Sequence, residues 1–141
     1  IASAIKSIGL SSDSRLRWEP PKSPIQSDCD PVSAARMAMG LLSNAAKITP
    51  PGGRISISLE RKGVQVKISV SDTSSCVPLD LQGGVFDKFA TLFPEAEGRG
   101  RIVAGIGLRY CKLAAEAHGG SAGLSSVPGK GNTFWVELPA S

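Results

Sequence analysis

The chain has 141 residues, 41% of them hydrophobic and 20% charged, and carries a net charge of +4. That is enough apolar material for one compact domain with a real core, while no apolar run approaches the roughly 18 residues needed to span a bilayer, so membrane contact is not expected. Basic residues are scattered from Lys6 to Lys130 without the dense run that tracks a phosphate backbone, which argues against nucleic acid as a partner and suits a small anionic ligand equally well.

Residues 1 to 12 are small and Ser-rich and read as a linker left from a longer parent protein, with the domain proper at 13–141. Arg15 to Glu19 alternates well enough for a short strand, and Pro20, Pro21 and Pro24 force an extended connection up to Cys29. Cys29, Cys76 and Cys111 are odd in number, far apart and without metal-ligand spacing, which points to a reducing, cytoplasmic setting and away from a disulfide framework or zinc site.

Asp30 followed by Pro31 is a helix start, because an aspartate side chain caps free N–H groups and proline has none to lose. The stop is Thr49, Pro50, Pro51, Gly52 and Gly53. At about 100° per residue, Ala35, Ala38, Met39, Leu42, Ala45 and Ala46 share a broad arc that should pack. Arg36, Gly40, Asn44 and Lys47 fall on a narrower arc that should look outward, either as a plain solvated face or toward a ligand.

Arg54 to Glu60 and Val64 to Val70 both alternate, predicting a hairpin with one buried face and a turn at Arg61-Lys62-Gly63. Residues 71 to 84 read as loop. Val85, Phe86, Phe89, Leu92 and Phe93 suggest a short amphipathic helix or turn, and Pro94 to Val103 a charged, glycine-containing loop. Helical spacing returns from Gly105 to Ala117, with Ile106, Leu108, Leu113, Ala114 and Ala117 available to pack and Gly119-Gly120 as the stop. Two last strands, about 121–127 and 132–138, flank the turn Pro128-Gly129-Lys130-Gly131. The order of elements predicts an α+β sandwich with helices on one face of a mixed sheet.

These pieces resemble the catalytic, ATP-binding domain of sensor histidine kinases, a branch of the GHKL ATPase superfamily that includes gyrase, the ninety-kilodalton heat-shock chaperones and the mismatch-repair ATPases. GLLSNAAKITPPGG at 40–53 looks like the N box, DTSSC at 72–76 stands where the first glycine box belongs, and VFDKFA at 85–90 looks like the phenylalanine box. VAGIGLRYCKLAAEAHGG at 103–120 and GKGNTFWVELP at 129–139 look like the second glycine box with its helix and the last glycine turn with its strand.

The resemblance implies the two-layer Bergerat fold and a nucleotide site made of Asn44, Lys47, Asp72, Gly105, Ile106, Gly107 and Leu108. Asn44 would offer its oxygen to Mg²⁺, Lys47 would be a point charge on the ATP phosphates, and Asp72 would accept the adenine amino group. Gly105 and Gly107 would open a helix whose free N–H groups meet phosphate. Phe86 and Phe89 would anchor a lid or fill the core. His118, in EAHGG, matches a structural position, so the phosphoacceptor histidine would sit on a separate dimerisation domain, with a response regulator downstream.

Four positions depart from the family pattern. Gly40 stands where a first asparagine is usual, Ser74 and Cys76 replace the glycines of Asp-x-Gly-x-Gly, and Val103 replaces a leading glycine of the second box. They motivate an alternative to the phosphoryl-donating kinase domain: a degenerate domain with weak or no ATP binding that acts through protein contacts. An anti-sigma-type serine kinase on the same fold fits the ITPPGG turn and the EAHGG helix end less well.

Overall fold

The computed structural model describes residues 12–19, 21–23, 25–74, 86 and 105–140, with Gly105, Ile106 and Gly107 described by their backbone alone. The expected linker up to Ser11, most of the expected short helix at 85–93 and loop at 94–103, and the positions Cys76, Phe89 and Val103 lie outside those residues.

The elements run β1 (Leu16–Trp18), α1 (Pro31–Ile48), β2 (Ile55–Lys62), β3 (Gln65–Asp72), α2 (Gly105–Ala117), β4 (Ser121–Val127) and β5 (Gly131–Pro139). They form one five-stranded sheet in the order β1-β2-β3-β5-β4. Only the β1–β2 pairing among these is parallel, so the sheet is mixed, as expected.

Helix α1 starts and stops where the residue types dictate. The Asp30 side chain accepts from the Ser33 backbone N–H at 2.8 Å, satisfying one of the four donors a helix N-terminus leaves free. At the other end Thr49 leaves the helix in an extended conformation while its N–H still reaches Ala45 O at 3.0 Å. Arg15 completes that end: its Nη1 donates to the carbonyls of Ala46 and Thr49, and Asp13 holds its Nη2 at 2.7 Å. A cation at a helix C-terminus also meets the negative end of the helix dipole.

The strands bear out the alternation and correct its phase at one point. Ile55 and Ile57 on β2, Val66, Ile68 and Val70 on β3, and Phe134, Val136 and Leu138 on β5 all face the helices and are buried. Arg61 and Lys62, however, belong to β2 and pair across to Val66 and Gln65. The turn is Gly63-Val64, with Gly63 at φ 60, a value a two-residue hairpin needs at its first central residue. Val64 is therefore 81% exposed at the tip and is not a core residue.

Both helices cover the same face of the sheet, and the core between the layers joins Met37, Leu41 and Leu42 to Leu108, Cys111 and Phe134. Two helix predictions need correction. On α1 the most buried stripe is Met37, Leu41 and Ala45, while Met39 and Ala46 are half-buried, because the packed arc is rotated toward α2 and away from the arc that alanine content alone suggests. On α2, Leu113 is 51% exposed and Ala117 is exposed, and Cys111 and Ala115 fill the interior instead. Leu108, Cys111 and Ala115 are spaced i, i+3, i+7, which is one helical face.

Candidate functional site

Two contacts fix how the helices run. Asp30 N–H, before α1, donates to His118 Nε2, and Cys111 Sγ on α2 donates to Met37 O at 3.3 Å. Seven residues forward on one helix match seven back on the other, so the pair is antiparallel. One more step of seven brings the N-terminus of α2, at Gly105, alongside the α1 turn that carries Asn44.

Asn44 was expected on an outward arc with Arg36 and Lys47; the structure places it elsewhere. It lies seven residues from Met37 and three from Leu41 on the buried stripe and is 3% exposed, whereas Arg36 and Lys47 are exposed. Neither Oδ1 nor Nδ2 of Asn44 has a hydrogen-bond partner among the described residues. An orphaned carboxamide in an interior costs about 1–3 kcal/mol, so it persists where function requires it. Thr49 Oγ1, at the end of the same helix, is also buried without a partner.

Asp72 continues the inward alternation of β3 by one more step after Val66, Ile68 and Val70, and is 2% exposed. Its two carboxylate oxygens differ sharply. Oδ1 accepts from Ser74 N–H at 2.9 Å, from the Ser74 hydroxyl and from Asn132 Nδ2 at 3.2 Å. Oδ2 is buried and has no partner among the described residues. Burial pushes the Asp72 carboxyl above the usual range, and the Ser74 and Asn132 hydrogen bonds pull the other way.

Asn132, which motif reading missed, joins the candidate site through its contacts with Asp72 and Ser74. It faces Asp72 across the β3–β5 ladder and opens the inward series Asn132, Phe134, Val136, Leu138. Its alternation with Phe134 was the available signal. The approach of the two strands depends on Gly131, whose φ is 78 and where an added Cβ would lie 1.9 Å from Asp72 O. No L side chain fits there.

The remaining predicted positions divide. Gly105, Ile106, Gly107 and Leu108 form the first turn of α2, where four backbone N–H groups have no partner within the helix. The Leu108 side chain is fully buried in the core, so its share in any ligand contact is confined to the backbone. Lys47 is exposed one turn from Asn44. Gly40 sits half-buried in the middle of α1 and offers no side chain. Phe86 is buried in the core cluster.

His118 is engaged on both nitrogens: Nδ1 meets Ala114 O at 2.7 Å, and Nε2 accepts from Asp30 N–H at 3.4 Å. Those two contacts tie the end of α2 to the start of α1, as a structural histidine does. Among the described residues no group of His, Cys, Asp and Glu could hold a metal by itself, and no helix is long and apolar enough to cross a membrane. The residues do fit a hard cation held jointly with a ligand: a buried amide oxygen with nothing to accept is a suitable single protein ligand for Mg²⁺ when phosphates supply the others.

Comparison with known proteins gives a consistent picture. Residues 29–141 match the family model described as histidine kinase-, DNA gyrase B-, and HSP90-like ATPase. The chain is 42% identical over 99 residues to the sensor protein DivL of Caulobacter vibrioides, covering 70% of this chain and 12% of that protein. It is 38% identical over 111 residues to the adaptive-response sensory kinase SasA of Synechococcus elongatus, covering 78% of this chain and 28% of that one. The chain thus spans less than a third of the length of these relatives.

Among solved structures, the mycobacterial sensor histidine kinase MprB superposes with a TM-score of 0.80 at 24% identity, over 99% of this chain and 92% of that one, which shows the fold. The catalytic domain of histidine kinase ThkA superposes with a TM-score of 0.66 at 25% identity, over 79% of this chain and 69% of that one. Nothing in these matches supports the degenerate alternative. Motifs, fold and relatives agree: the chain belongs to the histidine kinase-, gyrase- and HSP90-like ATPase family, as a sensor-histidine-kinase catalytic domain of the Bergerat fold.

Proposed function

We propose that residues 13–141 bind Mg²⁺-ATP between the α1 end bearing Asn44, the first turn of α2 and the β3 end bearing Asp72, and present the γ-phosphoryl group to a histidine on a separate dimerisation domain of the parent protein. The observation that carries this reading is the pair of orphaned polar groups, the Asn44 carboxamide and Asp72 Oδ2, buried on elements that converge from opposite layers.

Each residue has a task suited to its chemistry. Asp72 Oδ2 accepts an N–H from the adenine amino group and disfavours guanine, which presents a carbonyl oxygen at that position. The N–H groups of Gly105 to Leu108 receive phosphate oxygens at the positive end of the α2 dipole, and Lys47 adds a mobile positive charge from the rim. Asn44 holds the cation by its amide oxygen. When bound, Mg²⁺ neutralises charge on the phosphates during transfer. The protein contributes positioning and charge stabilisation and no nucleophile of its own. His118, with both nitrogens engaged, is not the acceptor, so this domain does not phosphorylate itself; a response regulator receives the phosphoryl group later, on the cytoplasmic side.

Calorimetric titration with ADP and with a non-hydrolysable ATP analogue, each with and without Mg²⁺, tests the reading. Saturable binding that Asp72→Asn abolishes, and that Asn44→Ala makes insensitive to Mg²⁺, is the expected result. No heat up to millimolar nucleotide, from protein whose circular dichroism shows it folded, overturns it.

A further inference from the structure

We infer that Ser74 is a positioning residue for base selection: its hydroxyl, braced by Asn132, saturates Asp72 Oδ1 and leaves Oδ2 as the one acceptor aimed at the base. The inference rests on the nucleotide-site reading above and adds a role for a residue at which the family pattern has no side chain.

The geometry is a braced chain of four side chains drawn from three parts of the sheet. Ser126 Oγ on β4 donates to Asn132 Oδ1 at 2.5 Å, which fixes the orientation of the Asn132 amide. The oriented Nδ2 then points at Asp72 Oδ1, 3.2 Å away, and at Ser74 Oγ, 2.9 Å away. With its lone pair taken by Asn132, the Ser74 hydroxyl turns its proton to Asp72 Oδ1, beside its own backbone N–H. Three donors thus converge on one oxygen and none of those on the other.

That asymmetry has a chemical consequence. A carboxylate free to rotate could exchange its oxygens, or take a proton and donate to a carbonyl. A carboxylate with Oδ1 held in a fan of three donors cannot rotate without breaking those hydrogen bonds, and Oδ2 keeps a fixed direction toward the base. It therefore demands a donor from the ligand, the amino group of adenine, and repels the 6-oxo group of hypoxanthine, which sets acceptor against acceptor. A glycine at position 74 supplies the backbone N–H alone. Serine adds a second donor and a partner for Asn132, so this departure from the family pattern tightens base selection.

The test is binding of ADP and of IDP, the 6-oxo analogue, measured side by side on the same protein. The ratio of the two dissociation constants is read, because a variant that is partly unfolded loses both alike. The unaltered domain is expected to prefer ADP at least about a hundredfold. Ser74→Ala, which removes the hydroxyl and keeps the backbone N–H, is expected to narrow that preference about tenfold, the worth of one hydrogen bond to a charged group. Ser74→Thr, which keeps the hydroxyl, restores it. Should Ser74→Ala fail to melt cooperatively, Ser74→Gly carries the same comparison.

An unchanged ratio in the hydroxyl-free variant overturns the inference while leaving the nucleotide reading intact, provided Asp72→Asn still abolishes binding. Equal affinity of the unaltered domain for ADP and IDP overturns the base-selection role of Asp72 and the inference with it.

Discussion

The two ends of helix α1 are built from the same kinds of residue and treated in opposite ways. At the N-terminal end every polar group described above has a partner: Asp30 receives the Ser33 N–H and hydroxyl, and His118 takes the Asp30 N–H while bonding to Ala114 O. At the C-terminal end, Asn44 and Thr49 are buried, more enclosed than the exposed Asp30 and half-buried His118, yet Asn44 Oδ1 and Nδ2 and Thr49 Oγ1 have none among the described residues. The same contrast appears within one carboxylate, between Asp72 Oδ1 with its three donors and Oδ2, which has no partner among the described residues. Hydrogen-bond saturation marks where the fold is closed, and unsatisfied interior polarity marks where a ligand completes it.

The spine between the two ends gives the largest expected effect. Met37 and Leu41 are fully buried where α1 meets α2, so Leu41→Ala is expected to destabilise by about 2–5 kcal/mol in a urea titration. It should weaken nucleotide binding only through the folded fraction. Next comes a pair of changes that separates the ends. Asn44→Leu replaces an orphaned amide by an apolar group of similar size; it is expected to raise stability by about 1–3 kcal/mol while lowering Mg²⁺-dependent affinity at least about tenfold. His118→Ala is expected to do the reverse, losing about 1–2 kcal/mol with ADP affinity unchanged. Stability that falls in Asn44→Leu, or affinity that falls in His118→Ala, breaks the comparison.

The smallest effect is in acid, where the two aspartates at the C-terminal end of α1 and the adjoining sheet titrate in opposite senses. Hydrogen bonds from Arg15 hold the Asp13 carboxyl down to about 2, so its contribution to stability is complete above the ordinary carboxylate value of 3.8 and is lost as pH falls toward 2. Burial raises Asp72, so the folded state holds that proton more tightly than the unfolded chain. Its contribution is greatest in acid and declines as pH rises above 3.8 through the raised value. Urea midpoints followed across this range are expected to lose the acid-side fall in Asp13→Asn and the high-side decline in Asp72→Asn.

Much of the molecule was legible because its signals are local. The Asp30-Pro31 start, the Pro-Gly stop, the alternation in β2 and β3, and the mixed α+β layering all follow from residue type and period. Where local pattern was ambiguous, sequence reasoning went astray. Arg61-Lys62-Gly63 and Gly63-Val64 are both plausible turns, and it is the cross-strand register that chooses the second and exposes Val64. Alanine-rich helices have no sharp apolar arc, so the direction in which α1 packs was decided by where α2 lies.

The sequence by itself determined the elements and the family, and it singled out Asn44, Lys47, Asp72 and the α2 glycines as candidates for the site. The tertiary structure decided that Asn44 is interior, that among the described residues neither it nor Asp72 Oδ2 finds a partner, and that Asn132 and Ser74 converge on Asp72 Oδ1. The physical reason is distance along the chain. Asn132 reaches Asp72 across 60 residues, through a strand register that no periodicity within either segment contains. A hydrogen-bond vacancy is likewise a property of everything that packs around a group, and it becomes visible only when the layers have closed over it.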